Sequence, residues 1–297
     1  MPISTVNQIK LKDGRALGYA EYGNLQGLPV MHFHGVPSSR LEGGHPLVDE
    51  IASQLHIRLI FPDRPGIGLS DYKPKRSLLD WPNDVCELAD ALNLERFAIL
   101  GLSGGGPYVA SCAYKIPDRL AAAGIISGVG PMDTPGNYEG LGKSDRQAMD
   151  LALKSPWLLR VLFWYMTRGL RGNPKNFIDQ LESDLSQADK DMVAQPEIRN
   201  IVIKATLEAF RQGGRGATWD YALVGKPWEF RLEDIHIPVY LWHGEEDKIC
   251  SVLMGRNVAA AIPNCLATYY PGEGHLSVYA KYYGDILRTL SEQWNRS

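Results

Sequence analysis

A chain of 297 residues with a formal net charge of −3 at pH 7 lacks the excess of basic side chains that neutralises phosphates, so no nucleic-acid partner is expected. No apolar run reaches the roughly 18–20 residues that a membrane span requires, so no span is predicted. With 44% hydrophobic and 22% charged residues, the composition is typical of a globular protein, and the length fits one large domain with an insertion or two small domains.

The cysteines and the first residues bear on the cellular compartment. The four cysteines are scattered, with neither CxxC spacing nor a metal-type cluster with histidines, which favours free thiols in a reducing compartment. Residues 1–18 lack the apolar centre of a signal peptide. These features predict a cytoplasmic protein.

The first part of the chain alternates short apolar runs with helical patterns. An Asp-Gly turn at Asp13 predicts a hairpin of strands 7–11 and 16–22. Further strands are predicted at 30–33, 58–61, 98–102 and 120–127. Helices are predicted from Ser38 or Ser39 towards Leu55, over 78–92 and after Ser103. This alternation predicts an α/β fold with a mostly parallel sheet and helices on both faces.

The composition changes after residue 131. From 132 to 230 the pattern is helical, and helices are predicted at 145–154, 156–170, 177–185 and 197–212. The sheet then resumes with strands at 237–242 and 267–270 and helices at 254–261 and 277–293. We therefore expect a core domain of residues 1–131 and 231–297, interrupted by a helical cap domain, 132–230, over the active-site face.

A Gly-x-Ser-x-Gly turn follows the predicted strand 98–102. Gly101 and Gly105 flank Ser103, as expected where a sharp turn from strand to helix leaves no room for a Cβ. Such a turn exposes the hydroxyl at the sheet edge. Ser103 is therefore a candidate nucleophile, provided that the chain also supplies a base, an acid and oxyanion donors.

The base and the acid are expected on loops that follow the last two strands. His275 lies in a glycine-flanked loop after the final strand and is the candidate base. Asp247 follows the preceding strand, and the chain order Ser, Asp, His fits a nucleophile elbow. Glu246 and Asp133 are the alternative acids.

The oxyanion requires two N–H donors. The residue after the nucleophile, Gly104, supplies one, and Val36 supplies the other, because Gly35 lets its loop turn tightly while Pro37 has no N–H. His34 is expected to hold this loop through hydrogen bonds of its ring. Arg64 is expected to bridge loops as a structural clamp.

Other motifs are missing from the sequence. No G-x-G-x-x-G, no HExxH and no complete P-loop is present, so no nucleotide, metal or flavin cofactor is predicted.

Five motifs together, in this order, resemble the signature of the α/β-hydrolase superfamily. They are His34-Gly35-Val36-Pro37, the stretch 63–70, Gly101-Leu102-Ser103-Gly104-Gly105, the stretch 243–247 and Gly272-Glu273-Gly274-His275. The resemblance implies a capped, esterase- or lipase-like serine hydrolase with a triad of Ser103, His275 and Asp247, and a cap that supplies substrate selectivity. Similar haloalkane dehalogenases and epoxide hydrolases carry Asp at the position of Ser103, so those two reactions are disfavoured.

The sequence therefore predicts an enzyme that cleaves a carboxylic ester or related acyl bond of a small molecule through an acyl-enzyme. The alternatives are a carbon–carbon bond hydrolase, a lactonase, a proline iminopeptidase-like enzyme, and a binding protein that retains the triad to sense a small molecule. Gly35, Trp164 and Tyr165 are candidate substrate contacts, although cap aromatics also pack caps onto cores. The sequence does not predict the oligomeric state.

Overall fold

The computed structural model describes residues 5–294, apart from the side chain of Asn176. Residues 1–4 and 295–297, at the two ends of the predicted core domain, lie outside the described residues. The described chain contains an eight-stranded sheet in the order β1-β2-β4-β3-β5-β6-β7-β8. β1 pairs with β2, and β2 with β4, in antiparallel fashion, whereas all other neighbouring strands are parallel. The fold prediction is confirmed.

The strands fall close to their predicted positions because their apolar runs are short and are bounded by turns. β1 and β2 form the predicted hairpin, in which Asn7 pairs with Tyr19. The strands are β1 Asn7–Lys10, β2 Ala16–Gly23, β3 Leu28–Phe33, β4 Ile57–Pro62, β5 Phe97–Leu102, β6 Leu120–Ile126, β7 Val239–Gly244 and β8 Cys265–Tyr270.

Five helices cover the two faces of the sheet. They are α1 Pro46–Gln54, α2 Trp81–Ala91, α3 Gly106–Lys115, α10 Val252–Ala261 and α11 His275–Trp294. One apolar core joins the sheet to α2, α3 and α10 through residues such as Val85, Val109 and Val258. A second core joins the opposite face to α1 and α11 through Val48 and Ile286. Burial of both faces explains why the central strands are apolar throughout.

Six further helices lie in the chain between β6 and β7, and we refer to them as the insertion. They are α4 Lys143–Lys154, α5 Pro156–Gly172, α6 Pro174–Glu182, α7 Gln187–Val193, α8 Pro196–Ala209 and α9 Arg215–Val224. Two of them, α7 and α9, were not predicted, because seven and ten residues give a weak periodic signal. No helix in the described part of the chain is both long and apolar enough to cross a membrane.

The predicted helices 177–185 and 197–212 end three residues later than α6 and α8, and two further differences in helix boundaries lie near the predicted site. The first helix begins at Pro46 rather than near Ser39, because the side chain of Ser39 caps a separate 3-10 turn over Arg40–Gly43. The last helix begins at His275, so this histidine opens a helix instead of lying in a loop. The carboxyl ends of β3, β5, β7 and β8 lie along one edge of the sheet, and all the predicted site loops follow these ends.

Candidate active site

Ser103 lies in a strained turn directly after β5. Its φ is 54°, in the left-handed region that non-glycine residues rarely adopt, and α3 begins three residues later at Gly106. A Cβ at Gly105 would lie 2.2 Å from the carbonyl oxygen of Phe33, so only glycine fits there. The turn has the geometry that the Gly-x-Ser-x-Gly pattern predicts.

The loop after β3 packs directly against this turn. A Cβ built on Gly104 would lie 2.7 Å from Cγ2 of Val36, so the two residues expected to supply oxyanion donors are neighbours. Gly35 lies on the inner side of the loop, where its N–H donates to Oε2 of Glu42 over 3.0 Å. Gly35, Val36 and Ser103 all line one cavity.

Arg64 and His34 hold the loop in place, as the sequence predicts. Arg64 is fully buried and donates from Nη2 to the carbonyl oxygen of Gly35 over 2.8 Å and from Nε to Oδ2 of Asp220 on α9 over 2.9 Å. The Nδ1 atom of His34 lies 2.8 Å from the same Gly35 oxygen. Burial and the nearby charge of Arg64 lower the pKa of His34 to about 3, so its ring is neutral at pH 7.

His275 and Asp247 form a buried pair. Nδ1 of His275 lies 2.8 Å from Oδ2 of Asp247, while Oδ1 of Asp247 accepts the N–H groups of Ile249 and Cys250 over 2.8 and 2.9 Å. Burial raises the pKa of the Asp247 carboxyl, but the His275 charge and hydrogen bonds from His243 and His275 outweigh burial and hold it well below its usual range. Asp247 is therefore ionised at pH 7 and able to fix the orientation of the imidazole.

Neither alternative acid occupies this position. Glu246 and Asp133 are both exposed, and the hydrogen bond to the His275 ring comes from Asp247. Burial lowers the pKa of His275, but the charge and hydrogen bond of Asp247, together with the charges of Asp189 and Asp145, outweigh burial and place it above its ordinary value. His275 lines the same cavity as Ser103.

Asp189 of the insertion caps the helix that begins with His275. This fully buried carboxylate on α7 accepts the N–H groups of His275, Leu276 and Ser277 over 2.9, 2.8 and 2.9 Å. A carboxylate at a helix N-terminus is stabilised by the unpaired N–H groups and by the helix dipole. The backbone of His275 is therefore held by a side chain of the insertion.

A cavity of about 620 Å³ extends from Ser103 and His275 between the core and the insertion. Its wall is largely apolar, with Val48 and Ile51 from α1 and Phe163, Met166, Leu181 and Val202 from the insertion. Three carboxylates also line it, from Glu42, Asp145 and Asp184. Among residues 5–294 no group of three or more His, Cys, Asp or Glu side chains is arranged to hold a metal ion.

The expectation that Trp164 and Tyr165 contact substrate needs correction. Their side chains are 61% and 73% exposed, and neither lines the cavity. The rotation of about 100° per residue in α5 places Phe163 and Met166 on the inner face and turns Trp164 and Tyr165 outwards. Gly35 does line the cavity.

Sequence reasoning missed Glu42, Asp145 and Asp189. A capping signal does precede Asp189, because Ser186 accepts its N–H over 3.2 Å at the start of α7, and this Ser-x-x-Asp spacing could have located the helix. Asp145 is an ordinary acidic residue in a first helical turn. No local pattern distinguishes Glu42, which reaches the site only because its turn folds against the loop after β3.

Comparison with known proteins identifies the family to which this fold belongs. A family model described as the alpha/beta hydrolase fold matches residues 29–282. A bifunctional esterase/perhydrolase of Acinetobacter calcoaceticus is 24% identical over 287 residues, which cover 90% of this chain and 92% of that protein. A non-heme chloroperoxidase of Streptomyces lividans is 32% identical over 126 residues, which cover 42% of this chain and less than half, 45%, of that protein.

Solved structures resemble the whole described fold. A hydrolase from Pseudomonas aeruginosa has a TM-score of 0.70 at 18% identity, covering 97% of this chain and 98% of that one. An esterase from Thermogutta terrifontis has a TM-score of 0.68 at 21% identity, covering 98% and 99%. Together with the family match over most of the chain, these likenesses lead to one conclusion: the protein belongs to the α/β-hydrolase family.

Proposed function

We propose that this protein is a serine hydrolase that cleaves carboxylic esters through an acyl-enzyme on Ser103. The observation that carries the proposal is the buried 2.8 Å hydrogen bond between Nδ1 of His275 and Oδ2 of Asp247, in a cavity that Ser103 also lines. This bond holds the proton on Nδ1 and leaves Nε2 as the basic nitrogen.

The reaction has two halves. In the first, Nε2 of His275 removes the proton of Ser103 while Oγ bonds to the ester carbon, and the N–H groups of Val36 and Gly104 stabilise the oxyanion. The alcohol then leaves with the proton from His275. In the second half, His275 takes a proton from water, the resulting hydroxide attacks the acyl carbon, and the acid is released as Ser103 regains its proton.

We propose further that residues 132–230 act as a cap that selects uncharged, apolar esters. The apolar wall supports this proposal, since it favours substrates whose nonpolar surface is removed from water on binding. The carboxylates of Glu42, Asp145 and Asp184 outnumber Lys281, which lines the same cavity, and so oppose a substrate with its own carboxylate. The same carboxylates could bind the free amine of a peptidase substrate, and hydrolysis of aminoacyl esters tests that alternative.

Perhydrolysis is a second candidate, favoured by the names of the chloroperoxidase and the esterase/perhydrolase relatives. Hydrogen peroxide would replace water in the second half, so that the acyl group leaves as a peracid and Ser103 regains its proton. Detection of peracid from an ester and hydrogen peroxide, absent with Ser103→Ala, tests this reaction.

Fluorophosphonate labelling followed by intact-mass measurement tests the main proposal. We expect one label on the wild type, none on Ser103→Ala, and full labelling of Ser53→Ala, whose serine is exposed on α1. Hydrolysis of p-nitrophenyl esters of increasing acyl length should then follow the labelled fraction. A folded wild type that takes no label and hydrolyses no ester would overturn the proposal in favour of a binding protein.

A further inference from the structure

Helix α5 carries a concentration of exposed apolar side chains. Of the eleven large apolar side chains that are exposed among the described residues, five lie on this one helix. They are Trp157, Val161, Leu162, Trp164 and Tyr165, with exposures of 62%, 51%, 45%, 61% and 73%. Contiguous exposed apolar patches on a folded protein mark sites of interaction. We refer to these five residues, with Arg160, Arg168 and Arg171, as the α5 surface.

The α5 surface is separate from the packing of the insertion. The opposite side of the helix is buried through Leu159, Phe163 and Leu170. Trp157, Val161, Trp164 and Arg168 follow the spacing of one helical face, four and three residues apart. The exposed residues therefore form a stripe along the outer side of the helix.

The charge of this segment is opposite to that of the whole chain. Residues 155–178 contain no Asp or Glu, whereas the chain carries a net charge of −3. Arg160, Arg168 and Arg171 are all exposed on α5. The guanidinium carbon of Arg168 lies 5.8 Å from the centre of the Trp164 ring, so a cation and an aromatic ring share the middle of the surface.

We propose that the α5 surface binds the surface of an anionic phospholipid bilayer. Tryptophan and tyrosine favour the headgroup level, where the ring is partly apolar and the polar edge stays hydrated. Val161 and Leu162 provide the aliphatic part, and the arginines pair with lipid phosphates. A helix with aromatic, aliphatic and basic side chains on one exposed side has the composition of an interfacial helix.

A second copy of the chain fits this surface less well. Pairing about a two-fold axis would bring the α5 surfaces of both copies together in one interface. That interface would hold the arginines of both copies, and α5 offers no carboxylate to offset their repulsion. An anionic bilayer supplies the missing negative charge.

Docking in this orientation would also bring the cavity wall to the membrane. Phe163 and Met166, on the inner side of the same helix, line the cavity that contains Ser103. The inference goes beyond ester hydrolysis, and it does not depend on that activity because binding is measured without turnover.

Vesicle co-sedimentation with the full chain tests the proposal. We expect binding to vesicles of phosphatidylcholine mixed with phosphatidylglycerol, weaker binding as salt is raised, and no binding to phosphatidylcholine alone. Brominated lipids should quench the tryptophan fluorescence of the bound protein. The double variants Trp157→Ser/Trp164→Ser and Arg168→Gln/Arg171→Gln should each lose at least about tenfold in affinity. Leu266→Ser, which removes a 55% exposed side chain on β8, is the matched control and should bind like the wild type.

Four results would overturn the proposal. The first is a wild type, folded by circular dichroism, that binds no anionic vesicle. The second is equal binding of the wild type to neutral and anionic vesicles, and the third is undiminished binding by the arginine variant. The fourth is self-association of the wild type that the tryptophan variant abolishes, which would assign the surface to a second copy. Thermal melting of each variant keeps loss of binding distinct from loss of fold.

Discussion

Apart from α7, which contacts the core through Asp189, the insertion divides into two halves that are held in place by different forces. The ion-paired half, α8 and α9, is joined to the core by buried charges: Arg40 contacts Glu208 over 2.7 Å, and Asp220 lies between Arg64 and Arg76. The described residues of the apolar half, α4 to α6, form one ion pair, Lys154–Asp150, which lies within α4.

This difference bears on how the insertion is oriented and on what lines the cavity. Buried charges with several hydrogen bonds tolerate little displacement, so α8 and α9 orient the insertion over the sheet edge. The apolar half contributes Phe163 and Met166 to the cavity wall and exposes its outer side on α5. Apolar contacts are non-directional and adapt to shape, which suits the wall of a substrate cavity, although α8 also contributes Val202 to this wall. Four expected outcomes test this difference between the halves.

Loss of the central carboxylate in the ion-paired half should have the largest effect. Asp220→Ala leaves two buried arginines unpaired and should lower the free energy of unfolding by about 3–5 kcal/mol, measured by urea denaturation. Asp150→Ala removes the exposed pair of the apolar half and should cost less than about 1 kcal/mol. Similar losses in the two variants would contradict the division into halves.

The same carboxylate should make the free energy of unfolding depend on pH in the acidic range. Burial raises the pKa of Asp220, but Arg64 and Arg76 outweigh burial and lower it to about 2, below the unfolded value near 3.8. Asp220 therefore stabilises the fold above about pH 4, and this contribution of roughly 2 kcal/mol is lost as pH falls towards 2. Unfolding free energies measured between pH 2 and 6 should depend less on pH in Asp220→Asn. An unchanged slope would contradict the assignment.

Asp189 joins the insertion to the helix of His275, and its charge should affect both stability and pH dependence. Asp189→Asn should lose about 1–2 kcal/mol of stability because three N–H groups lose a charged acceptor.

In the proposed mechanism the neutral imidazole is the active form, so ester hydrolysis should fall as pH drops through the raised pKa of His275, above pH 6.5. Since Asp247, Asp189 and Asp145 all raise that pKa, the Asp189→Asn variant should shift the acid limb of kcat/KM to lower pH. Asp191→Asn, an exposed neighbour on α7, should change neither property. If the acid limb of the kcat/KM profile does not move in Asp189→Asn, the role of Asp189 is structural.

The smallest effect is expected in the apolar half. Met166→Ala enlarges the cavity and should raise kcat/KM for long acyl esters relative to short ones by less than about tenfold. Leu253→Ala, an exposed change on α10, is the control. An equal change in kcat/KM for all acyl lengths would contradict a contact between Met166 and the acyl chain.

Much of the core could be predicted because its signals are local. The glycines around Ser103 are dictated by backbone contacts within a few residues, and alternating strands and helices leave few topologies to consider. His275 and Asp247 were found as residues that follow strands, and the sheet then brought them within 2.8 Å. The boundary at His275 was missed because the capping carboxylate, Asp189, lies 86 residues away in the chain.

The insertion was less predictable because its sequence shows helices without showing their faces. Trp164 and Tyr165 fit an apolar pocket by composition, yet α5 turns them to solvent and places Phe163 and Met166 inside. Which side of an amphipathic helix is covered depends on its neighbours, and short helices such as α7 carry too few residues for a clear period.

Turns and periodicity over a few residues were enough to predict the order of the strands and of the helices that cover them, the elbow at Ser103, and the positions of Asp247 and His275 after strands. The partners across the chain became visible only in the folded molecule: the N–H groups held by Asp189, the arginines around Asp220, the carboxylates in the cavity and the exposed side of α5. Contacts between distant residues depend on packing that no local pattern records.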